Sequence, residues 1–145
     1  YLGVSAGPDR ERERELATAD PLDGVTTTTD PDAMRGHAAF CAAGAEVVSF
    51  ERTLVEAIGA QDMVLLTESA KLRHRWKEQV DVMRVTARPS LDDDLATYVA
   101  INEQMLDVIV AQPAPDRFVA EIEAIDTQRG ADAFDVMYED YDAHC

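Results

Sequence analysis

Lysine is nearly missing from this 145-residue chain: Lys71 and Lys77 are the only two, and every other cation is arginine. Lys and Arg together number 13 against 29 Asp and Glu, a formal net charge of −16. Phosphate backbones need clustered cations, so this balance argues against a nucleic-acid groove. It also weighs against binding to anionic membrane surfaces. Long apolar runs are missing too, far short of the roughly 18–20 residues a membrane-spanning helix needs. There are only two cysteines, Cys41 and Cys145. They are too far apart for a zinc spacing. Free thiols are the expectation, with a disulfide as the alternative if the chain is exported. The chain has no Gly-rich phosphate loop, no Cys-x-x-Cys, no nucleophile elbow and no recognisable Ser/His/Asp arrangement, which disfavours catalysis. No segment alternates with a period of two, so strands are not expected.

What is present suits one globular domain. Hydrophobic residues make up 46% and aromatics 6%, enough for a real core at this length. The Arg-for-Lys bias, with abundant Ala, Asp, Val and Thr, fits a GC-rich genome. It equally fits a high-salt proteome, where surface carboxylates hold water and salt screens their repulsion. The start at Tyr1 suggests processing, excision or truncation. Tyr1 to Pro8 reads as the tail of a removed signal or transmembrane segment, or as a loose terminus.

Residues 1–30 read as a flexible or peripheral segment and 31–145 as a helical bundle domain. In the first part, Asp9 to Leu16 alternates charge, the pattern of a short solvated helix. Thr26 to Asp30 reads as an extended linker. Asp30-Pro31 then predicts the start of a first helix, which Gly59 would cap. Phe40, Val47, Leu54 and Ile58 make its stripe, and Gly44-Ala45 leaves room for another helix to approach. A second helix is predicted over 62–87, with the stripe Leu65, Ser69, Leu72, Trp76, Val80 and Met83, ending at Arg88-Pro89. Ser90 would cap a third, with Asp92, Asp93 and Asp94 in its first turn. Its stripe is Leu91, Leu95, Tyr98, Asn102, Met105 and Ile109, and Gln112-Pro113-Ala114-Pro115 ends it. A fourth runs from Asp116 towards the C-terminus, with a kink or break at Arg129-Gly130. Four amphipathic helices with short connections predict an all-α, antiparallel four-helix bundle.

Several constellations invite a chemical reading. Asp92-Asp93-Asp94 is similar to the aspartate-rich motif of terpene synthases, but Ala96 and Thr97 stand where a further acid is needed, and helix capping explains the triplet. A ferritin-like di-iron site needs Glu-x-x-His pairs, and none of His37, His74 and His144 has a Glu three residues before it. No metal site or cofactor is therefore expected. Glu51 lies near the apolar face of the first helix. If buried it needs a partner such as Arg73 or Arg84. His74 among Arg73, Arg75 and Lys77 suits a small anion through charge-assisted hydrogen bonds. The competing reading is charge compensation by Glu68, Glu78 or Asp81. Asn102, one turn after Tyr98, sets helix register or holds a ligand. The candidate anion-binding residues are thus Arg73, His74, Arg84 and Asn102.

Residues 79–109 carry a resemblance. Gln79-Val80-Asp81-Val82-Met83-Arg84, then Ser90-Leu91, then Tyr98-Val99-Ala100-Ile101-Asn102 continuing to Ile109, resembles the late helices of the nitrate/nitrite-sensing domain family. In that family an Arg-bearing helix precedes a helix with a Tyr-x-x-Ile-Asn core. Its early Lys-Glu-Arg-Gly stretch is absent here, Phe50-Glu51-Arg52-Thr53 being the nearest segment. The resemblance implies an extracytoplasmic, all-helical input domain joined to a kinase, chemoreceptor or cyclase.

The leading expectation is a non-catalytic sensory or ligand-binding input domain that takes a small anion. The alternative is an acidic, cytoplasmic, self-associating structural or adaptor protein, of a kind that suits a halophile, that would form a homodimer. A metal-binding bundle enzyme is a third reading.

Overall fold

The structure is a computed structural model that describes residues 30–145. The predicted charged helix at 9–16 and the linker at 26–30 fall outside the described residues, except Asp30. The chain divides into two units, Tyr1–Ala33 and Met34–Cys145. Of the first, residues 30–33 form a turn. Asp32 N–H donates to Asp30 Oδ1 at 2.9 Å, and Ala33 N–H to Asp30 O at 3.1 Å. Asp30 therefore closes a turn and does not cap a helix.

The second unit is all helical, with no strand among the described residues. Helix α1 is His37–Ala60, α2 Met63–Lys71, α3 Arg73–Thr86, α4 Asp92–Ala111, α5 Pro115–Glu123 and α6 Thr127–His144. A short 3-10 turn, Pro89–Leu91, precedes α4. Contacts link α1 to α3, α3 to α4, α4 to α6 and α6 back to α1; α2 packs on α1 and α4, and α5 on α4. The core holds Phe40, Val47, Leu54, Leu66, Val80, Met83, Leu91, Leu95, Leu106, Ile109 and Met137. Most of them lie on the apolar stripes read from the sequence, but Leu66 takes the core place expected of Leu65, and Leu72, expected on the second stripe, is exposed because the helix is divided there.

Helix ends depart from expectation, for local reasons. Gly59 lies inside α1, because Gln61 takes the left-handed cap at φ 53°. Its N–H reaches Ile58 O at 3.1 Å, and that of Asp62 reaches Ala57 O at 3.0 Å. This crossed pair satisfies two of the last carbonyls. Asp62 then caps α2 by accepting from Leu65 N–H at 3.0 Å. The single helix expected over 62–87 is divided at Leu72, whose backbone (φ −92°, ψ 5°) ends α2 and starts α3. Ser90 makes no side-chain cap; Arg88 Nη1 donates to its hydroxyl at 2.9 Å instead. Asp92, Asp93 and Asp94 do occupy the first turn of α4, where carboxylates complement the helix dipole.

The break in the last helical stretch falls at 124–126, ahead of the expected Arg129-Gly130. Gly130 lies inside α6 and is buried against α4: a Cβ there would meet Ile101 Cγ2 at 2.6 Å. Gly44 does admit a close approach, as its sequence suggested. Its neighbour is Tyr141 of the chain's own α6, 2.5 Å from where a Cβ would stand.

Cys41 and Cys145 form a disulfide, which corrects the expectation of free thiols. The bond ties the end of α6 to the first turns of α1. The two cysteines are 104 residues apart in sequence, but the fold brings their Cα atoms to 5.6 Å, well inside bonding range. Among the described residues no helix is long and apolar enough to cross a membrane.

Candidate functional site

Two features adjoin each other at the meeting of α1, α3 and α4. One is a buried polar centre and the other is an open cleft, and they share Trp76.

The polar centre is built from residues on the apolar stripes. Tyr98 and Asn102 are one turn apart on the buried face of α4, and Trp76 faces them from α3. Glu51 comes across from α1. Tyr98 O–H donates to Glu51 Oε1 at 2.9 Å and Asn102 Nδ2 donates to the same oxygen at 2.7 Å. Trp76 Nε1–H donates to the Tyr98 hydroxyl at 3.1 Å. Burial raises the Glu51 carboxyl above the usual carboxylate range, against the lowering effect of its Asn102 and Tyr98 hydrogen bonds. Burial, followed by the nearby Glu51 charge, holds the Tyr98 phenol well above its ordinary value. Glu51 was expected to need an arginine, Arg73 or Arg84. Its partners are two neutral donors, which satisfy a carboxylate oxygen without burying a second charge.

Aromatic rings carry the contact further. Phe50 stacks on Trp76 with centroids 5.4 Å apart, Trp76 meets Tyr98 edge-on at 5.8 Å, and Tyr98 leans on Phe134 at 5.4 Å.

The cleft, of about 410 Å³, lies between α1, α2 and α3. Phe50 and Trp76 line it, with Ala45, Ser49 and Thr53 along the α1 side and Ser69, Leu72 and Gln79 opposite. Glu46 and Arg75 are the charged residues of the lining. They bind each other in parallel, Nε to Oε1 at 2.9 Å and Nη2 to Oε2 at 2.7 Å. The hydrogen bond from Arg75 holds the Glu46 carboxyl below its ordinary range. Ser69 is only 3% exposed, and its hydroxyl makes no hydrogen bond among the described residues. The Ser69 hydroxyl lines the cleft, while the fully buried side-chain atom left without a partner among the described residues is Asp140 Oδ2.

The four predicted anion-binding residues share no hydrogen bond or ion pair with one another. Arg73 binds Glu103 of α4, and Asp107 at 2.9 Å. Lys77 joins the same Glu103 at 2.8 Å. Burial tends to raise the Glu103 carboxyl, but its bonds from Lys77 and Arg73 prevail and hold it low. His74 is exposed and faces Glu78 at 3.1 Å. Arg84 is exposed and has no partner among the described residues. Asn102 belongs to the buried centre. Compensation of the basic run thus comes mainly from α1 and α4. Of the acids expected for that role, Glu78 serves His74 while Glu68 pairs with Lys71.

Sequence reading missed the cleft. Its one signal was Ser69, a hydroxyl standing in an otherwise apolar stripe. Among the described residues, no group of three His, Cys, Asp or Glu is placed to hold a metal ion. The chain matches no family model, no curated protein and no solved structure, so the geometry alone carries the functional reading.

Proposed function

We propose that this chain is a ligand-binding helical domain without catalytic machinery, of the kind that serves as the input module of a receptor. We also propose that its helices are arranged as an antiparallel four-helix bundle. In that arrangement α2–α3 and α5–α6 are the divided second and fourth rods. The ring of contacts from α1 through α3, α4 and α6 back to α1 supports this arrangement.

The observation that carries the ligand reading is the cleft itself. Its volume falls in the range of small-molecule sites, and its mostly apolar lining with few polar groups is the usual composition of one. Trp76 both lines the cleft and hydrogen-bonds the Tyr98–Glu51 centre. An occupant that shifts the indole would disturb three helices at once, which is what an input module requires.

The test is thermal unfolding of the full chain against nitrate, nitrite, small carboxylates and small phenols. It is repeated on Ser49→Trp, which fills the cleft from an exposed position. A ligand that binds only the folded state raises stability by about 2.7 kcal/mol at a hundred times its Kd. A rise abolished by Ser49→Trp is the expected result. A rise with nitrate or nitrite that survives Ser49→Trp but fails in Arg84→Ala would move the site to the basic face of α3. No rise with any of the compounds at millimolar concentration would overturn the reading.

A further inference from the structure

The chemistry of the occupant can be taken one step further, resting on the cleft being a ligand site. We infer that the α1–α2–α3 cleft takes an uncharged, flat aromatic molecule that carries one hydroxyl or carbonyl group directed at Ser69.

Three observations converge on that class. The first is the charge of the lining. Glu46 and Arg75 are its charged residues, and they are matched oxygen for nitrogen across α1 and α3. The pair is solvent-exposed and worth little by itself, but because its charges are already matched the lining offers no free charge to attract a charged ligand. A neutral one leaves the pair in place as a strap beside the mouth.

The second is shape. Phe50 and Trp76 are stacked with planes 23° apart, and both line the cleft, with Ala45 and Leu72 as further apolar wall. An aromatic wall favours offset-stacked or edge-to-face contact with another ring. Apart from Glu46, the exposed side of α1 offers small residues there, Ala45, Ser49 and Thr53, which leave room for a flat molecule.

The third is the hydroxyl of Ser69, a residue of α2 that is largely buried; it lines the cleft and has no hydrogen-bond partner among the described residues. It can donate to a carbonyl or accept from a hydroxyl. A cleft lined by an unpaired hydroxyl favours the ligand that satisfies it over the analogue that does not.

Equilibrium dialysis of the full chain against naphthalene, 2-naphthol and 2-naphthoate tests all three points. The expected order of affinity is 2-naphthol first, naphthalene about 3- to 10-fold weaker for want of one hydrogen bond, and 2-naphthoate weakest. In Ser69→Ala the advantage of 2-naphthol over naphthalene disappears. Unchanged naphthalene binding then shows that the variant is folded and the cleft intact. Equal binding of naphthalene and 2-naphthol to the natural chain would overturn the inference, and so would tightest binding of 2-naphthoate. If Ser49→Trp abolishes that binding, the cleft reading stands while the ligand class falls. If none of the three compounds binds, both fall together.

Discussion

The α4–α6 seam and the α1–α2–α3 cleft use small residues to opposite ends. In the seam, Gly130 lets Ile101 of α4 fill the space a side chain would need. On α1, Gly44 does the same for the ring of Tyr141. One residue further on, Ala45 faces no such filler. With Ser49 and Thr53 it borders open volume on both sides, the main cleft and a smaller one of about 270 Å³ lined by Arg52, Tyr138 and Tyr141. Small residues close an interface only when a large neighbour faces them. Where the facing helix also presents a small residue, as α2 does at Ser69, a cleft is left. The seam is packed at Gly130, although a groove of about 450 Å³ opens between Asp94 and Thr97 of α4 and Arg129 and Asp132 of α6; the cleft lies where packing against α1 stops short.

That contrast can be broken or sharpened by substitution. The largest effect belongs to the Cys41–Cys145 bond, which ties α6 to α1 on the closed side. For a bridge spanning this much chain, replacing both cysteines by alanine is expected to cost roughly 2–5 kcal/mol. Guanidinium unfolding measures it. A loss under about 1 kcal/mol would show that helix packing alone holds that end.

Next comes the polar centre. Glu51→Leu leaves the Tyr98 hydroxyl and the Asn102 amide without their acceptor, for a loss of roughly 2–4 kcal/mol. Glu51→Gln keeps an acceptor oxygen and cannot ionise. Burial raises the carboxyl of Glu51, so its stabilising contribution is fully present below the ordinary glutamate range and is lost as pH rises through the raised value. The melting temperatures of Glu51→Gln and the natural chain should therefore agree at acid pH and separate in favour of the variant towards neutrality. Parallel curves would place the carboxyl in a wetter setting than the bonds to Tyr98 and Asn102 suggest.

Gly130→Ala forces the new methyl onto the branched Cβ region of Ile101, a buried neighbour with little freedom, and is expected to cost about 1–3 kcal/mol. Gly44→Ala should cost less. The half-buried Tyr141 ring can turn aside, whereas Ile101 has little freedom; the helix propensity alanine returns, up to about 1 kcal/mol, applies at both glycines. If Gly44→Ala proves the worse of the two, the α1–α6 contact is the tighter one. The smallest effect is expected in the cleft. Ser49→Leu should change stability by no more than about 0.5 kcal/mol, since it projects into space. A cost comparable to that of Gly130→Ala would mean that the cleft is already filled.

The stripes of the helices were legible because burial selects apolar residues at the helical period, and Phe40, Leu54, Val80, Leu95 and Ile109 obey it. Helix ends were less so. Asp30 and Ser90 have good capping side chains but spend them on a turn and on Arg88. Gln61 holds a left-handed cap that its neighbour Gly59 would have suited better. At the candidate site, Tyr98, Asn102, Trp76 and Ser69 could each be assigned to a helix face from spacing, and Glu51 was visible as a carboxylate in an apolar setting. That Glu51 would find Tyr98 and Asn102, with no arginine, was not visible, since spacing within one helix says nothing about which residue of another lies opposite.

The sequence by itself determined an acidic, helical, strand-free domain of described residues and the faces its helices would bury. Periodicity and capping are local, and they act through neighbours three or four residues away. Tertiary structure alone decided the pairing of Cys41 with Cys145, the fit of Gly130 to Ile101, the neutral partners of Glu51 and the cleft beside Trp76. Each of these depends on residues brought together from distant parts of the chain, where the volume and polarity of the facing side chain choose between contact, hydrogen bond and open space.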